Sequence, residues 1–256
     1  GYDRMRAVAD RAAHIGALDR VATTMEEAFA DADVGVLAMP VEAILTTIDY
    51  VREWEVRLPQ LILDVGSVKT PIVERGRTLD GFVGTHPIAG NEGSGPDAAR
   101  ADLFVDRPWA YAPTSDEERD RRAVAFIETM GARAIGISAV EHDRVLALTS
   151  HVPQLLSVLL AACLVRDSHR ELIPSLAGPG LESMTRLAHS PYGLWGGIFR
   201  QNEENVAAAI ETFALLMRSI VGEGGKIDWL ALERCFSEGN ALASELAQRV
   251  QSASPS

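Results

Sequence analysis

The sequence predicts an α/β domain with a parallel sheet, followed by an all-helical domain. In the first part, short apolar segments alternate with helical patterns, which is typical of a parallel sheet with crossover helices. From about Ala139 the strand signals stop and long helical patterns follow. We therefore expect domains at 1–140 and 141–256, with the boundary near 139–145.

Five apolar segments are the predicted strands of the first domain. The first two are followed directly by residues that typically end a strand, Pro40 and Gly66-Ser67, and the third leads into His86-Pro87. The predicted strands are Val34–Met39, Leu61–Val65, Gly81–Thr85, Trp109–Ala112 and Ala134–Ser138.

Helical patterns separate these strands and fill the second domain. Pro153 interrupts the apolar pattern of 140–165 and predicts a kink there. Gly222 is a predicted stop, and Asp228 is a predicted N-cap for a helix to about Val250. The predicted helices are Met5–Ile15, Val41–Glu55, Val68–Gly76, Ser115–Met130, Val140–Val165, Gln201–Val221 and the one after Asp228.

Composition restricts the function classes. The 256 residues are 47% hydrophobic and 23% charged, with a formal net charge of −12 and a pI near 5.0. Such a surface repels phosphate backbones, which argues against a nucleic-acid partner. Cys163 and Cys235 form no metal motif, and we expect buried, reduced thiols and a cytoplasmic protein. The apolar stretch Val152–Val165 is too short to predict a membrane span, so we expect no membrane partner.

The chain opens close to an acidic residue, Asp3. In dinucleotide-binding sheets such a residue accepts hydrogen bonds from the adenosine ribose and follows a glycine-rich turn by about 20 residues. We therefore expect that the first strand and the glycine loop are missing from the given chain. A carboxylate there repels the 2′-phosphate of NADP, so NAD is the expected cofactor.

Three motifs lie where predicted strands or helices end. In Asp64-Val-Gly-Ser-Val-Lys69, Ser67 falls at the carboxyl edge of the sheet, where such sheets bind ligands, although it is also an ordinary N-cap candidate. In Gly84-Thr-His-Pro-Ile-Ala-Gly90, His86 has the pKa range of a general base, although lone histidines are more often structural.

The third motif is Thr149-Ser-His-Val-Pro-Gln154 at the start of the helical domain. A proline kink there directs Ser150, His151 and Gln154 towards an interdomain cleft. Downstream, Arg186 lies in a mostly apolar run and is a candidate carboxylate clamp, with a surface ion pair as the alternative.

Together these motifs resemble the prephenate and arogenate dehydrogenase family over nearly the whole chain. The matching strings, in order, are DVGSVK, GTHPIAGNEGSG, EHD with SHVP, and TRLAHS with LW and N. The resemblance implies a Rossmann domain, a helical dimerisation domain, a homodimer and NAD-dependent oxidation of prephenate in tyrosine biosynthesis.

The resemblance also implies roles for individual residues. His86 would be the catalytic base and Ser67 would orient the substrate hydroxyl and the nicotinamide. Arg186 would bind a substrate carboxylate, beside His151, Gln154, Glu92 and Trp195. Asp3 and Pro40, with Ser67, would contact the cofactor, and no metal is implied.

Departures from the family pattern leave the substrate side chain open. Gln154 replaces a histidine, and Glu182 and Ser183 replace a lysine and an aspartate before the TR motif. This loss of positive charge is compatible with arogenate in place of prephenate. Two further alternatives remain. One is another hydroxyacid dehydrogenase, which would need a catalytic lysine in its helical domain; it is disfavoured because the only lysine in that half, Lys226, lies outside any motif that predicts a cleft. The other is a non-catalytic dimer module.

Overall fold

The first sheet is parallel and has the order β1-β2-β3. The computed structural model describes residues 1–30, 32–90, 93 and 95–252. Strands β1 (Val34–Leu37), β2 (Leu61–Asp64) and β3 (Phe82–Val83) pair with Val34 opposite Leu61 and Ile62 opposite Phe82. All four residues of β2 are buried, as expected for a central parallel strand that is covered on both faces.

A second sheet of three strands follows in the chain. Strands β4 (Thr85–Pro87), β5 (Pro108–Tyr111) and β6 (Arg133–Gly136) pair in that order. The β5–β6 pair is parallel, but the β4–β5 pair is antiparallel, which departs from the purely parallel prediction. The segment between β4 and β5 has a short 3-10 helix, Pro96–Ala98, where a parallel return needs a crossover helix of full length.

Helices cover both faces of the first sheet. On one face, helix α3 packs its buried Ile44 and Ile48 against Ile62 of β2. On the other face, Ala123 of helix α5 packs with Leu61 and Leu63 of the same strand. Helices of the first half are α1 (Arg6–His14), α2 (Met25–Ala30), α3 (Val41–Val51), α4 (Thr70–Gly76) and α5 (Glu117–Thr129).

The predicted kink of the long helix takes the form of a π-helical segment. Helix α6 (Ala139–Leu146) passes through π residues Ala147–His151 into α7 (Val152–Val165), with Pro153 in the first turn of α7. Proline has no N–H to donate to the regular ladder of helical hydrogen bonds, and the π turn just before Pro153 interrupts that ladder. The interruption therefore redirects the side chains without ending the helix.

This continuous helix is longer than the apolar stretch recognised in the sequence. Residues Ala139–Val165 are 27 in number and are long and apolar enough, by length and composition, to cross a membrane. The apolar stretch Val152–Val165 is therefore only the second part of a longer continuous helix. The helix also carries His142, Asp143 and His151, each about 1% exposed and bonded to other parts of the chain. Length and composition alone do not separate a membrane span from a core helix.

Short helices follow and end the first of two compact units, Gly1–Asn202. They are α8 (Ile173–Leu176), α9 (Pro179–Thr185) and α10 (Tyr192–Gln201). Ile198 of α10 is buried in the same core as Ile44 and Ile62, so α10 packs with the α/β part of the chain. The predicted domains at 1–140 and 141–256 rest on the change of sequence pattern near residue 140, whereas the compact units are defined by contacts within the chain. The predicted domains remain a prediction.

The second unit, Glu203–Ser256, has two long helices. Helices α11 (Glu203–Ile220) and α12 (Trp229–Ser252) contact each other, and Asp228 caps α12 by accepting hydrogen bonds from Leu230 N–H and Ala231 N–H. This confirms the predicted cap. The cysteines differ from expectation: Cys163 is exposed, because it lies outside the buried face of α7, and Cys235 is partly exposed although it follows buried Ala231 by one turn.

Candidate active site

A buried ion pair fixes the end of the central strand. Asp64, the last residue of β2, is fully buried and accepts hydrogen bonds from Gly66 N–H (2.8 Å) and Thr85 N–H (2.9 Å). Lys69 Nζ pairs with Asp64 and donates to the Thr85 carbonyl at 2.7 Å. Burial raises the pKa of Asp64 and lowers the pKa of Lys69, since each charge has lost its water. This pair holds the loop after β2 against the start of β4.

The loop between these two residues carries Ser67, which is half-buried. Gly66 before it is tightly enclosed: a Cβ there would meet Ile72 Cδ1 at 2.7 Å and Asp64 Oδ2 at 3.0 Å. A side chain at position 66 would therefore push the loop outwards. The glycine keeps Ser67 at the carboxyl edge of the sheet, as predicted.

Two histidines and an aspartate form a hydrogen-bonded chain that ends at His86. His86 Nδ1 lies 2.9 Å from His142 Nε2, and His142 Nδ1 lies 2.8 Å from Asp143 Oδ1. The two imidazole rings meet edge to face, with centroids 5.1 Å apart. His142 and Asp143 are each about 1% exposed, whereas His86 is half-buried. The chain therefore runs from the interior of the protein to half-buried His86 on β4.

Asp143 also binds the start of helix α4. Its two carboxylate oxygens accept hydrogen bonds from Lys69 N–H and Thr70 N–H, both at 2.7 Å. Burial by itself raises the pKa of Asp143, but the hydrogen bonds from His142 and from these two N–H groups outweigh it, so the pKa lies below its ordinary value. Asp143 is therefore ionised and accepts hydrogen bonds only.

His86 has the protonation state that a general base requires. Burial, followed by the positive charge of Lys69, holds the pKa of His86 well below 6.5. The ring is therefore neutral at neutral pH. A neutral imidazole with one nitrogen engaged by His142 has its second nitrogen left to take a proton.

His151 is a second buried histidine with one engaged nitrogen. Asn202 Nδ2 donates to the Asp143 carbonyl at 2.8 Å and lies 3.2 Å from His151 Nδ1. Burial lowers the pKa of His151 to about 4. Because the amide donates to Nδ1, the proton of neutral His151 lies on Nε2, and that atom is buried with no hydrogen-bond partner among the described residues. Trp195 packs against the ring edge to face, at 6.0 Å between centroids.

Gln154 connects the long helix to the segment that carries Arg186. Its Nε2 donates to the Leu187 carbonyl at 2.8 Å, while its Oε1 is buried without a partner in the described part of the chain. Arg186 begins the 3-10 helix Arg186–His189, which packs on α7, and its side chain is exposed. The predicted substrate residues Arg186, His151 and Gln154 therefore belong to one connected part of the first unit.

The predicted cofactor residues lie at the N-terminus and after β1. Asp3 Oδ1 accepts a hydrogen bond from Met5 N–H at 2.7 Å, so one of its oxygens already closes a local turn. Pro40 is exposed and is the N-cap of α3, directly beyond the carboxyl end of β1. Glu92 lies outside the described residues, so its role remains a prediction.

Sequence reasoning missed the residues that support this site. The sequence analysis did not identify five supporting residues as site residues: Asp64, Lys69, His142, Asp143 and Asn202. Asp64 and Lys69 are nevertheless the first and last residues of one of its three motifs. A signal was available in the adjacent polar pair His142-Asp143, which stands in an amphipathic helix and is buried on it. Its partners lie 56 and 74 positions away in sequence, and local patterns cannot show such contacts.

Two family profiles match the chain. Residues 1–136 match the one described as prephenate dehydrogenase, nucleotide-binding domain, and residues 138–223 match the prephenate dehydrogenase dimerization domain.

Curated relatives are about 30% identical to the chain over the aligned residues. It is 31% identical over 224 residues to a cyclohexadienyl dehydrogenase of Zymomonas mobilis and 30% identical over 222 residues to a prephenate dehydrogenase of Lactococcus lactis. Both matches cover 83% of this chain, but the chain spans 74% of the first relative and 60% of the second.

Solved structures agree with these matches. A prephenate dehydrogenase from A. aeolicus, in complex with hydroxyphenyl propionate and NAD+, superposes with a TM-score of 0.80 at 26% identity, over 99% of this chain and 88% of that one. A Synechocystis arogenate dehydrogenase has the same fold, with a TM-score of 0.78 at 23% identity, over 96% and 90% of the two chains.

The depressed pKa of His151 predicts acid lability. An unfolded histidine binds its proton near pH 6.5, whereas folded His151 does so near 4, so the unfolded state takes up more protons between these values. This contribution to stability is therefore fully present above pH 6.5 and is lost as the pH falls towards 4, by up to about 3 kcal/mol. Urea unfolding at several pH values and one fixed protein concentration measures it.

The matched variants are His151→Asn and His14→Asn. His14 is exposed, so its replacement should leave the pH dependence of the unfolding free energy unchanged. His151→Asn should make it shallower between pH 6.5 and 4. Equal slopes in the His151 variant and in the unchanged protein would contradict the assignment.

Proposed function

The chain belongs to the prephenate dehydrogenase family, and on that premise we propose that it oxidises and decarboxylates prephenate to 4-hydroxyphenylpyruvate, with transfer of a hydride to NAD, in tyrosine biosynthesis. It is an NAD-dependent oxidoreductase. The observation that carries the proposal is the neutral imidazole of half-buried His86 on β4, with one nitrogen engaged by His142 and its pKa well below 6.5.

The reaction needs little from the protein beyond a base and correct alignment. His86 takes the proton of the ring hydroxyl as hydride leaves the carbon that bears it, so an O–H and a C–H bond break and a ring carbonyl forms. Loss of carbon dioxide then restores aromaticity, which makes the overall step strongly downhill. One positioned base contributes about 10²–10⁴ in rate.

Ser67 and the residues of the helical part hold the substrate. The hydroxyl of Ser67 lies in the loop that Asp64 and Lys69 anchor, and it orients the ring hydroxyl. Arg186 binds a carboxylate, because a guanidinium pairs with both of its oxygens. Trp195 packs on His151 and keeps that ring in place. Glu92 completes the predicted set.

The residues around the carboxyl edge fit NAD. Helix α3 begins at the end of β1 behind exposed Pro40, and the N-terminus of a helix attracts anionic groups. Pro40 would line the nucleotide pocket, Ser67 would lie by the nicotinamide, and the carboxylate of Asp3 would pair with the ribose hydroxyls. When bound, NAD accepts the hydride. The related A. aeolicus enzyme was solved with NAD+ bound.

The helical part supports a homodimer. Residues 138–223 match a dimerization domain, and α11 and α12 carry large exposed apolar side chains. Burial of such side chains in a partner subunit is favourable by about 25 cal/mol per Å². Those more than half exposed include Leu215, Met217, Trp229, Leu230, Phe236 and Leu242. We place this dimer in the cytoplasm, where tyrosine biosynthesis runs.

Arogenate is the second candidate substrate, and one atom favours it. The buried Gln154 Oε1 is an acceptor without a partner among the described residues, which suits the ammonium group of arogenate. The Nε2–H of His151 is a donor and suits the keto and carboxylate oxygens of prephenate. We place prephenate first, because the Lactococcus lactis relative is a prephenate dehydrogenase.

A substrate panel separates the two candidates. With NAD, kcat/KM for prephenate should exceed that for arogenate by at least about ten-fold, which corresponds to one unmatched buried polar group. The assay follows absorbance at 340 nm with both acids and with NAD and NADP. A preference for arogenate would assign the side-chain pocket to Gln154, and no turnover with any pair would favour a non-catalytic dimer module.

Replacement of the base tests the mechanism. His86→Asn should lower kcat with prephenate by at least about 10² and leave the Kd of NAD nearly unchanged, because the lost group acts on the substrate proton. His14→Asn, an exposed histidine, is the control and should keep its kcat. Turnover at the unchanged rate in the His86 variant would remove this residue from the mechanism.

Replacement of the guanidinium tests substrate binding. Arg186→Ala should raise the KM for prephenate about ten-fold or more with a smaller change in kcat, since a charge-assisted pair to a carboxylate is lost. Arg166→Ala, an exposed arginine at the end of α7, is the matched control. An unchanged KM would make Arg186 a structural residue.

A further inference from the structure

We propose that His142 and Asp143 are positioning residues that fix the tautomer of His86, so that Nε2 is the atom that takes the substrate proton. The inference rests on the proposed function, in which His86 is the base. It assigns a role to two buried residues that the mechanism has not yet used.

The argument starts at the buried end of the chain, with an oxygen that can only accept. Ionised Asp143 accepts from Lys69 N–H and Thr70 N–H at 2.7 Å, and its Oδ1 lies 2.8 Å from His142 Nδ1. A carboxylate has no proton to give, so His142 Nδ1 must be the donor.

The next hydrogen bond follows from the first. We assign a single N–H to His142, on Nδ1, which leaves its Nε2 as an acceptor. This Nε2 lies 2.9 Å from His86 Nδ1, so His86 donates through Nδ1–H. The lone pair of neutral His86 is therefore on Nε2.

The same chain stabilises the product of proton transfer. When the ring hydroxyl gives its proton to His86 Nε2, one O–H bond breaks, one N–H bond forms and the imidazole becomes an imidazolium. Its Nδ1–H then makes a charge-assisted bond to His142 Nε2, which is stronger than the neutral one. This hydrogen bond therefore favours the protonated form of His86, whereas burial, the charge of Lys69 and any positive charge on His142 lower its pKa.

The backbone contacts of Asp143 explain why the chain is rigid. Through Lys69 N–H and Thr70 N–H, its carboxylate is tied to the helix that follows the Ser67 loop. The carbonyl of the same residue accepts from Asn202, which also contacts His151. One aspartate thus sets the positions of the base, the Ser67 loop and His151.

The most direct test is made on the unaltered protein and uses a variant only to assign the signal. Selective 15N labelling of the six histidines, with His86 assigned by the lost signal in His86→Asn, reports which ring nitrogen carries the proton. At pH 7.5 we expect a protonated Nδ1 and an unprotonated Nε2 for His86. A proton on Nε2 would overturn the proposal.

Two substitutions at position 142 give a kinetic test. His142→Phe keeps an aromatic ring against His86 but removes the acceptor, so kcat/KM should fall by about ten-fold or more and the acid limb of its pH profile should move to lower pH by about one unit. His142→Gln offers an amide oxygen near the position of Nε2 and should recover most of the loss. A role in packing alone would not move the pH profile.

The outcomes separate this proposal from the proposed function. If His86→Asn abolishes turnover while His142→Phe keeps the rate and the pH profile, the positioning role is overturned and the base remains. If His86→Asn keeps full activity, the proposed mechanism itself is wrong. Kd for NAD and the urea midpoint of each variant are measured alongside, and a Phe variant that loses activity and cannot be restored by Gln also contradicts the proposal.

Discussion

Two buried carboxylates hold the loop of residues 65–70 and the start of β4 in place. Asp64 at the end of β2 accepts from Gly66 and Thr85 and pairs with Lys69, while Asp143 accepts the next two backbone N–H groups, those of Lys69 and Thr70. A carboxylate without partners in such surroundings would cost several kcal/mol. The loop from 65 to 70 can therefore take few other positions without leaving a charge uncompensated.

The geometry of the candidate active site depends on these buried contacts. The loop carries Ser67, β4 carries His86 directly after Thr85, and α6 carries His142 beside Asp143, so each functional group is one residue or a few residues away from a buried ionic contact. Burial also gives the base its protonation state, since the same low-dielectric surroundings keep His86 and His151 neutral. Chemistry and stability thus depend on the same contacts, and a change at one of them should affect both.

The sequence predicted the elements better than it predicted their contacts. Apolar runs that end at glycine or proline located β1 and β2, and Asp228 located the start of α12, because these signals are local. The antiparallel β4–β5 pair was missed, since its direction depends on a connection without a strong pattern. The exposure of Cys163 was also missed, because an apolar helix does not show which of its faces is covered. His142 and Asp143 support His86 from 56 positions or more away in sequence, and Asp64 and Lys69 support it only through the backbone of Thr85. Local sequence patterns do not show such contacts, so these residues could be identified only from the structure.

A crystal structure of this protein with NAD and hydroxyphenyl propionate, the pair found in the A. aeolicus enzyme, tests the central claim most directly. The account predicts that the phenolic oxygen lies within hydrogen-bonding distance of His86 Nε2 and that the carboxylate contacts the Arg186 guanidinium. A ring hydroxyl that is held elsewhere, with His86 Nε2 bonded to protein or turned away from the ligand, would contradict it.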